Sequence, residues 1–107
     1  MQEIEYLIYL TFDEFEGIRV VAKKEKGNIL EFVVQYETLI MEEWKPVIRY
    51  DTAHGYAHKD IMKADGTKVK QPLYFENYNL AFTYATIDLK SNWKKYRRDF
   101  TGDKEND

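Results

Sequence analysis

The sequence predicts an α+β domain: an antiparallel sheet of five to six strands with one C-terminal helix packed on it. Three observations predict it. Up to about residue 70 the chain is a series of β-rich runs separated by Gly- and Asp-bearing turn segments. From residue 77 the apolar residues change to steps of three and four. The 107 residues hold neither an internal repeat nor a low-complexity segment, so one domain is expected, over 1–100.

The elements follow in order. Residues 4–12, IEYLIYLTF, are apolar and rich in β-formers and read as a first strand. DEFEG is a turn closed by Gly17, and IRVVAKK at 18–24 is the second strand. KEKGN turns the chain into a long third strand at 29–41. There Phe32, Val34, Tyr36 and Ile40 share one face, and Val33, Gln35, Glu37 and Leu39 the other. EEW is the next turn, with Trp44 expected as a lid on the core. Pro46 suits an edge or the start of a strand. Residues 47–53 and 56–63 are the fourth and fifth strands, and ADGT predicts a hairpin into a short strand at 67–70.

Residues 77–99 predict the helix. Phe82, Ala85, Leu89, Trp93, Tyr96 and Phe100 form one apolar stripe. Asn77 or Asn79 can cap its start, and the late lysines and arginines suit the negative end of its dipole. Leu80, Tyr84 and Ile87 lie on the opposite side. Two readings fit them: burial between the sheet and a loop, or a homodimer contact. Residues 101–107 read as a disordered tail.

Composition narrows the function classes. Without cysteine there are no disulfides, thiol nucleophiles or cysteine zinc sites. No apolar run approaches the ~20 residues that span a bilayer. Glu3 and Glu5 stand where a signal peptide would carry basic residues. A soluble, cytoplasmic protein is expected, and the weight of Lys and Glu over Asn and Gln leans toward a thermophile. The net charge of −3 gives no global attraction to nucleic acid. KSNWKKYRR at 90–98, however, is a local basic strip that includes Lys94 and Arg97.

The chemistry concentrates in IRYDTAHGYAHKDI at 48–61, which holds both histidines. If His54-Gly55 forms a two-residue turn, Asp51 faces His58, Tyr50 faces Lys59 and Arg49 faces Asp60. Arg49, Asp51, His58 and Asp60 then project from one face. Asp51 can hold His58, and Arg49 can pair with Asp60. Three readings stay open. A histidine oriented by an aspartate, beside a cation, can move protons on a phosphodiester. Asp51, His54, His58 and Asp60 are legitimate ligands for Zn, Mn or Mg, although Gly55 replaces the glutamate of a helical HExxH motif. Or the pairs only decorate a sheet face. Register decides what that face meets. A two-residue Glu42-Glu43 turn puts the polar set beside Phe32, Val34 and Tyr36; a one-residue difference turns it away.

FVVQYE at 32–37, Trp44, Pro46, RYDTAHGYAHKD at 49–60, the Asp-Gly of the next turn and IDLKSNWKKY at 87–96 resemble an uncharacterised family of small prokaryotic proteins. That likeness covers roughly two thirds of the chain and brings no activity with it. Arg49, Tyr50, Asp51, His54 and His58 are also similar to the TumE-type toxins of toxin–antitoxin modules, whose denser histidine cluster is absent here. The lead expectation is therefore a toxin-like, metal-independent ribonuclease acting on RNA, with a cognate antitoxin-like protein as partner. His58 would be general acid or base, oriented by Asp51, and His54 the second proton carrier. Arg49 and Lys59 would contact phosphate, with Tyr50, Asp60, Lys94 and Arg97 completing substrate binding. No cofactor, metal or membrane is assigned. The rivals are a non-catalytic protein-binding or regulatory module and a metal-dependent hydrolase.

Overall fold

A computed structural model describes residues 1–102. Six strands run β1 (Gln2–Tyr9), β2 (Glu16–Glu25), β3 (Asn28–Ile40), β4 (Glu43–Asp51), β5 (His58–Met62) and β6 (Lys68–Pro72). A short 3-10 turn, Ala53–Gly55, precedes β5, and the helix α1 covers Tyr78–Thr101. The sheet is a single antiparallel meander in chain order, so each connection is a hairpin. The α+β class is as predicted. No helix among the described residues is long and apolar enough to cross a membrane.

The ladder brings Ile18, Tyr36 and Ile48 into one cross-strand row, and Val20, Val34 and Tyr50 into the next. All six are buried, because α1 lies on this face. Ala81, Ala85 and Leu89 are its fully buried contacts, and the two alanines let the helix axis approach the strands. Phe32 meets Tyr78 and Phe82 edge-on, with ring centroids 6.2 and 5.7 Å away. The Asn77 side chain caps α1 by accepting from the Leu80 N–H at 3.0 Å. Asn79 has a different role: its Oδ1 accepts from the Ile29 N–H at 2.8 Å and ties the helix to β3.

Several boundaries differ from expectation. β1 ends at Tyr9 rather than at 12, and β2 starts early enough to put Gly17 inside the ladder. A Cβ there would lie 3.1 Å from Leu7 Cδ1. β4 begins at Glu43, so Trp44 pairs with Leu39 within a strand and is 39% exposed instead of lidding the core. The turn is Met41-Glu42, both with positive φ. Tyr84 sits between Tyr50 of the sheet and Phe75 of the preceding loop, with centroids 6.0 and 5.3 Å away, but Leu80, Tyr84 and Ile87 remain 47%, 45% and 60% exposed, so the expected burial of this helix side is only partial. The helix continues through Thr101, and Gly102 ends it in the left-handed region with its N–H bonded to Arg98 O. The rest of the expected tail, 103–107, lies outside the described residues.

One irregularity fixes the site. β3 and β4 pair Glu37 with Pro46 but Tyr36 with Ile48, so Val47 is an extra residue in the ladder. Val47 and Ile48 are consequently both buried. The Met41-Glu42 turn alone, with pairing running straight on, would oppose Asp51 to Phe32 on the helix face. The bulge opposes it to Val33 instead. The polar set therefore faces away from Phe32, Val34 and Tyr36.

Candidate functional site

On the sheet face away from α1, Asp51 pairs with His58 and Arg49 with Asp60 as ladder neighbours, the register expected from the sequence. The ladder stops at that pair. Residues 52–57 form a wider loop in which His54 (φ 72) and Gly55 (φ 82) are left-handed. The expected two-residue turn is absent. The chain ends its regular pairing where Asp51 accepts from the Ala53 N–H at 2.9 Å, and Thr52 N bonds back to Phe32 O at 3.2 Å.

Asp51, His58 and Asp60 are buried although no helix covers them, with 4%, 1% and 3% exposure. His58 Nε2 lies 2.8 Å from Asp51 Oδ1 and 3.8 Å from Asp60 Oδ2. Its Nδ1 faces Tyr56 O at 3.3 Å. The Tyr56 and His54 rings stand over it, with centroids 5.4 and 6.2 Å away. Arg49 Nε donates to Asp51 Oδ2 at 2.6 Å and its Nη1 to Gln35 Oε1 at 3.2 Å. The expected Arg49–Asp60 ion pair is therefore not made, because Asp51 two residues away on the same face captures the guanidinium. Asp60 has instead the exposed Lys68 ammonium at 3.8 Å. Burial opposes ionisation of Asp51, but Arg49, the Ala53 N–H and His58 outweigh it and hold its pKa below the ordinary aspartate value. A cavity of about 220 Å³ opens beside Arg49, Asp51, Thr52 and Ala53.

Lys59 and Tyr50 project to the other face, as alternation requires. There they join a buried network centred on Asp88 of α1. Asp88 Oδ2 accepts from Tyr50 OH at 2.6 Å and Tyr96 OH at 2.7 Å, and Oδ1 from Asn92 Nδ2 at 2.8 Å. Lys59 Nζ donates to Tyr96 OH at 2.7 Å and lies 3.7 Å from Asp88 Oδ2. Burial lowers the Lys59 pKa against the pull of Asp88. Burial also lifts both phenols, and the neighbouring Asp88 carboxylate adds to it. Sequence reasoning missed Asp88, Asn92 and Tyr96 as partners. The available signal was Asp88 itself, an acid beside the apolar stripe with Asn92 and Tyr96 one and two turns on.

The basic strip is not gathered onto the site. Lys94 Nζ lies over the Trp93 ring at 5.7 Å, and Arg97 Nε is 3.3 Å from Glu16 Oε2, both on the helix side. Glu16 also accepts from Thr38 Oγ1 at 3.0 Å and from Tyr36 OH. The expected site residues thus divide between two faces: Arg49, Asp51, His58 and Asp60 on one, with His54 at its rim, and Tyr50, Lys59, Lys94 and Arg97 on the helix side.

No curated protein and no solved structure matches the chain. A family model covers residues 1–106, and on that match the chain belongs to the family described as a domain of unknown function, DUF7718.

Proposed function

We propose that the face away from α1 is a phosphodiester-directed site and that the protein is a small, toxin-like RNA-cleaving enzyme. The observation that carries this reading is the arrangement around Asp51, which together with Arg49 lines the cavity. Arg49 is pinned by Asp51 and Gln35, and the exposed His54 stands over the buried Asp51–His58 pair. Arg49 commits Nε and Nη1, which leaves Nη2 without a hydrogen-bond partner among the described residues. A pre-oriented guanidinium edge of this kind suits a phosphate oxygen and the charge that grows on it during in-line attack.

The proton-transfer role moves from His58 to His54 in this reading. His58 is 1% exposed and both its ring nitrogens face acceptors, so it has no nitrogen to offer a substrate. It positions Asp51 and the 53–56 loop. His54 has an exposed ring and can exchange protons with a bound 2′-hydroxyl or leaving oxygen.

The test is cleavage of structured and single-stranded RNA by the wild type, His54→Ala and Arg49→Lys. Loss of about 10²–10⁴-fold in His54→Ala is the size expected for one proton carrier. Absence of cleavage of any RNA, together with normal growth of cells expressing the chain, would sink the reading. A second reading rests on Leu80 and Ile87, exposed on the outer side of α1 beside the half-exposed Tyr84: a protein-binding module that uses this helix side. Ile87→Glu should then abolish partner capture and leave RNA untouched.

A further inference from the structure

We propose that Asp51, His58 and Asp60 form a binding site for one divalent transition-metal cation, Mn²⁺ or Zn²⁺. Each residue offers one ligand atom, and the three atoms lie within 4.8 Å of one another. Two carboxylate oxygens and an imidazole nitrogen are a mixed donor set of intermediate hardness, which suits Mn²⁺, Fe²⁺ or Zn²⁺ better than Ca²⁺.

Orientation argues the same way. Among the described residues, the partner His58 Nδ1 meets is a backbone carbonyl, Tyr56 O. That carbonyl needs a proton on Nδ1. At 2.8 Å from Asp51 Oδ1, Nε2 carries a proton in the metal-free chain; a cation that displaces it, with Nδ1–H kept on Tyr56 O, meets a lone pair aimed between Asp51 Oδ1 and Asp60 Oδ2. A metal-ligating histidine is ordinarily held so, its second nitrogen donating to a carbonyl or carboxylate. Asp51 is fixed in turn by Arg49 Nε on the oxygen that His58 does not use.

Asp60 supplies the independent observation. Its side chain is 5% exposed, yet Oδ1 has no hydrogen-bond partner among the described residues. A buried, unpaired carboxylate oxygen is costly. A doubly protonated His58 would satisfy Asp51 but would still leave Asp60 Oδ1 bare. Lys68 does not cure this either, because its ammonium is 56% exposed and stands 3.8 Å from the other oxygen. A cation held by Nε2, by Asp51 and by both oxygens of a bidentate Asp60 would occupy Oδ1 as well as the Oδ2 that faces His58. Bond lengths of about 2.0–2.2 Å require the 2.8 Å Nε2–Asp51 gap to open slightly and the Asp60 carboxylate, now 3.8 Å from Nε2, to move in by a few tenths of an ångström.

Three protein ligands leave coordination positions for water and for a substrate oxygen. That use of the metal rests on the phosphodiester reading above; the binding of the metal does not. Isothermal titration of the chelator-treated full chain with MnCl₂ and with ZnCl₂ tests it, for the wild type, Asp60→Asn and His54→Ala. The expected result is one equivalent bound, weakened at least about tenfold in Asp60→Asn and unchanged in His54→Ala. Circular dichroism of Asp60→Asn confirms that the variant is folded. Absence of binding, or equal affinity in folded Asp60→Asn, overturns the proposal, as does dependence on His54. Binding without RNA cleavage leaves the metal site standing and removes the ribonuclease reading. Full RNA cleavage in excess chelator by a chain that binds neither metal does the reverse.

Discussion

Replacing Asp88 by Asn perturbs the polar network beneath the helix while keeping its shape. Asp88 accepts three hydrogen bonds, from Tyr50, Tyr96 and Asn92, and faces Lys59 at 3.7 Å. An amide oxygen can still accept from the two phenols, but without charge. The amide NH₂ meets Asn92, whose own amide must flip to accept from it, so that bond survives only as a neutral one. Each bond to a charged group is worth roughly 1.5–3 kcal/mol, and part of each survives in the amide. The Lys59 ammonium, 12% exposed, also loses its counter-ion. A net cost of about 3 kcal/mol follows, near the low end of the range for breaking a buried pair. For a domain of this size that is about 15 °C in Tm. The pH dependence carries a second signature. Burial opposes Asp88 ionisation, but the bonds from Tyr50, Tyr96 and Asn92 prevail, so the folded pKa is below the unfolded one. The contribution is fully present above the ordinary aspartate value of about 3.9 and is lost as pH falls through the lower folded value. Urea unfolding at pH 7 and at pH 3 therefore reads both effects. The wild type should lose more stability between these pH values than Asp88→Asn. Equal stability of the two proteins at pH 7, or an equal acid loss in both, would refute the reasoning.

Two further predictions concern the sheet. Asp60→Asn should raise the thermal midpoint of the metal-free protein by several degrees, because it removes a buried carboxylate whose Oδ1 has no hydrogen-bond partner among the described residues and whose cation, Lys68, is largely exposed, a cost of about 1 kcal/mol or more. A fall measured by scanning fluorimetry would mean that Asp60 holds a protonated His58 instead. Gly17→Ala should cost about 1–2 kcal/mol in urea titration, since its Cβ comes 3.1 Å from Leu7 Cδ1. No measurable change would show that β1 yields to the added methyl without loss.

What could be read beforehand was what periodicity controls. The alternation through Phe32, Val34 and Tyr36 is a local property of β3, and so is the stripe through Ala85 and Leu89. The Asp51–His58 pairing was legible although the expected two-residue turn did not form, because the six-residue loop at 52–57 is centred on the same His54-Gly55 pair and so keeps the register. Three things were not legible. Arg49 chose Asp51 over Asp60, a competition between two carboxylates that only distances decide. Asp88 found Tyr50 and Lys59 from across the helix–sheet interface, and no spacing in the sequence connects residue 88 with residues 50 and 59. Val47 belongs to the same class: a bulge has no residue signature of its own.

That extra residue has a consequence for how the chain finds its fold. Face assignment along a strand is a parity, and Val47 flips it for everything from Ile48 to Asp51. A hairpin that closed without the bulge would bury the Arg49 guanidinium and the Asp51 carboxylate against Phe32 and Val34. Each ion stranded there would cost several kcal/mol. The apolar residues weigh the same way, since that closure would also turn the buried Ile48 and Tyr50 off the helix face. The charged residues of the candidate site thus proofread the β3–β4 hairpin, rejecting the closure that the turn by itself would favour.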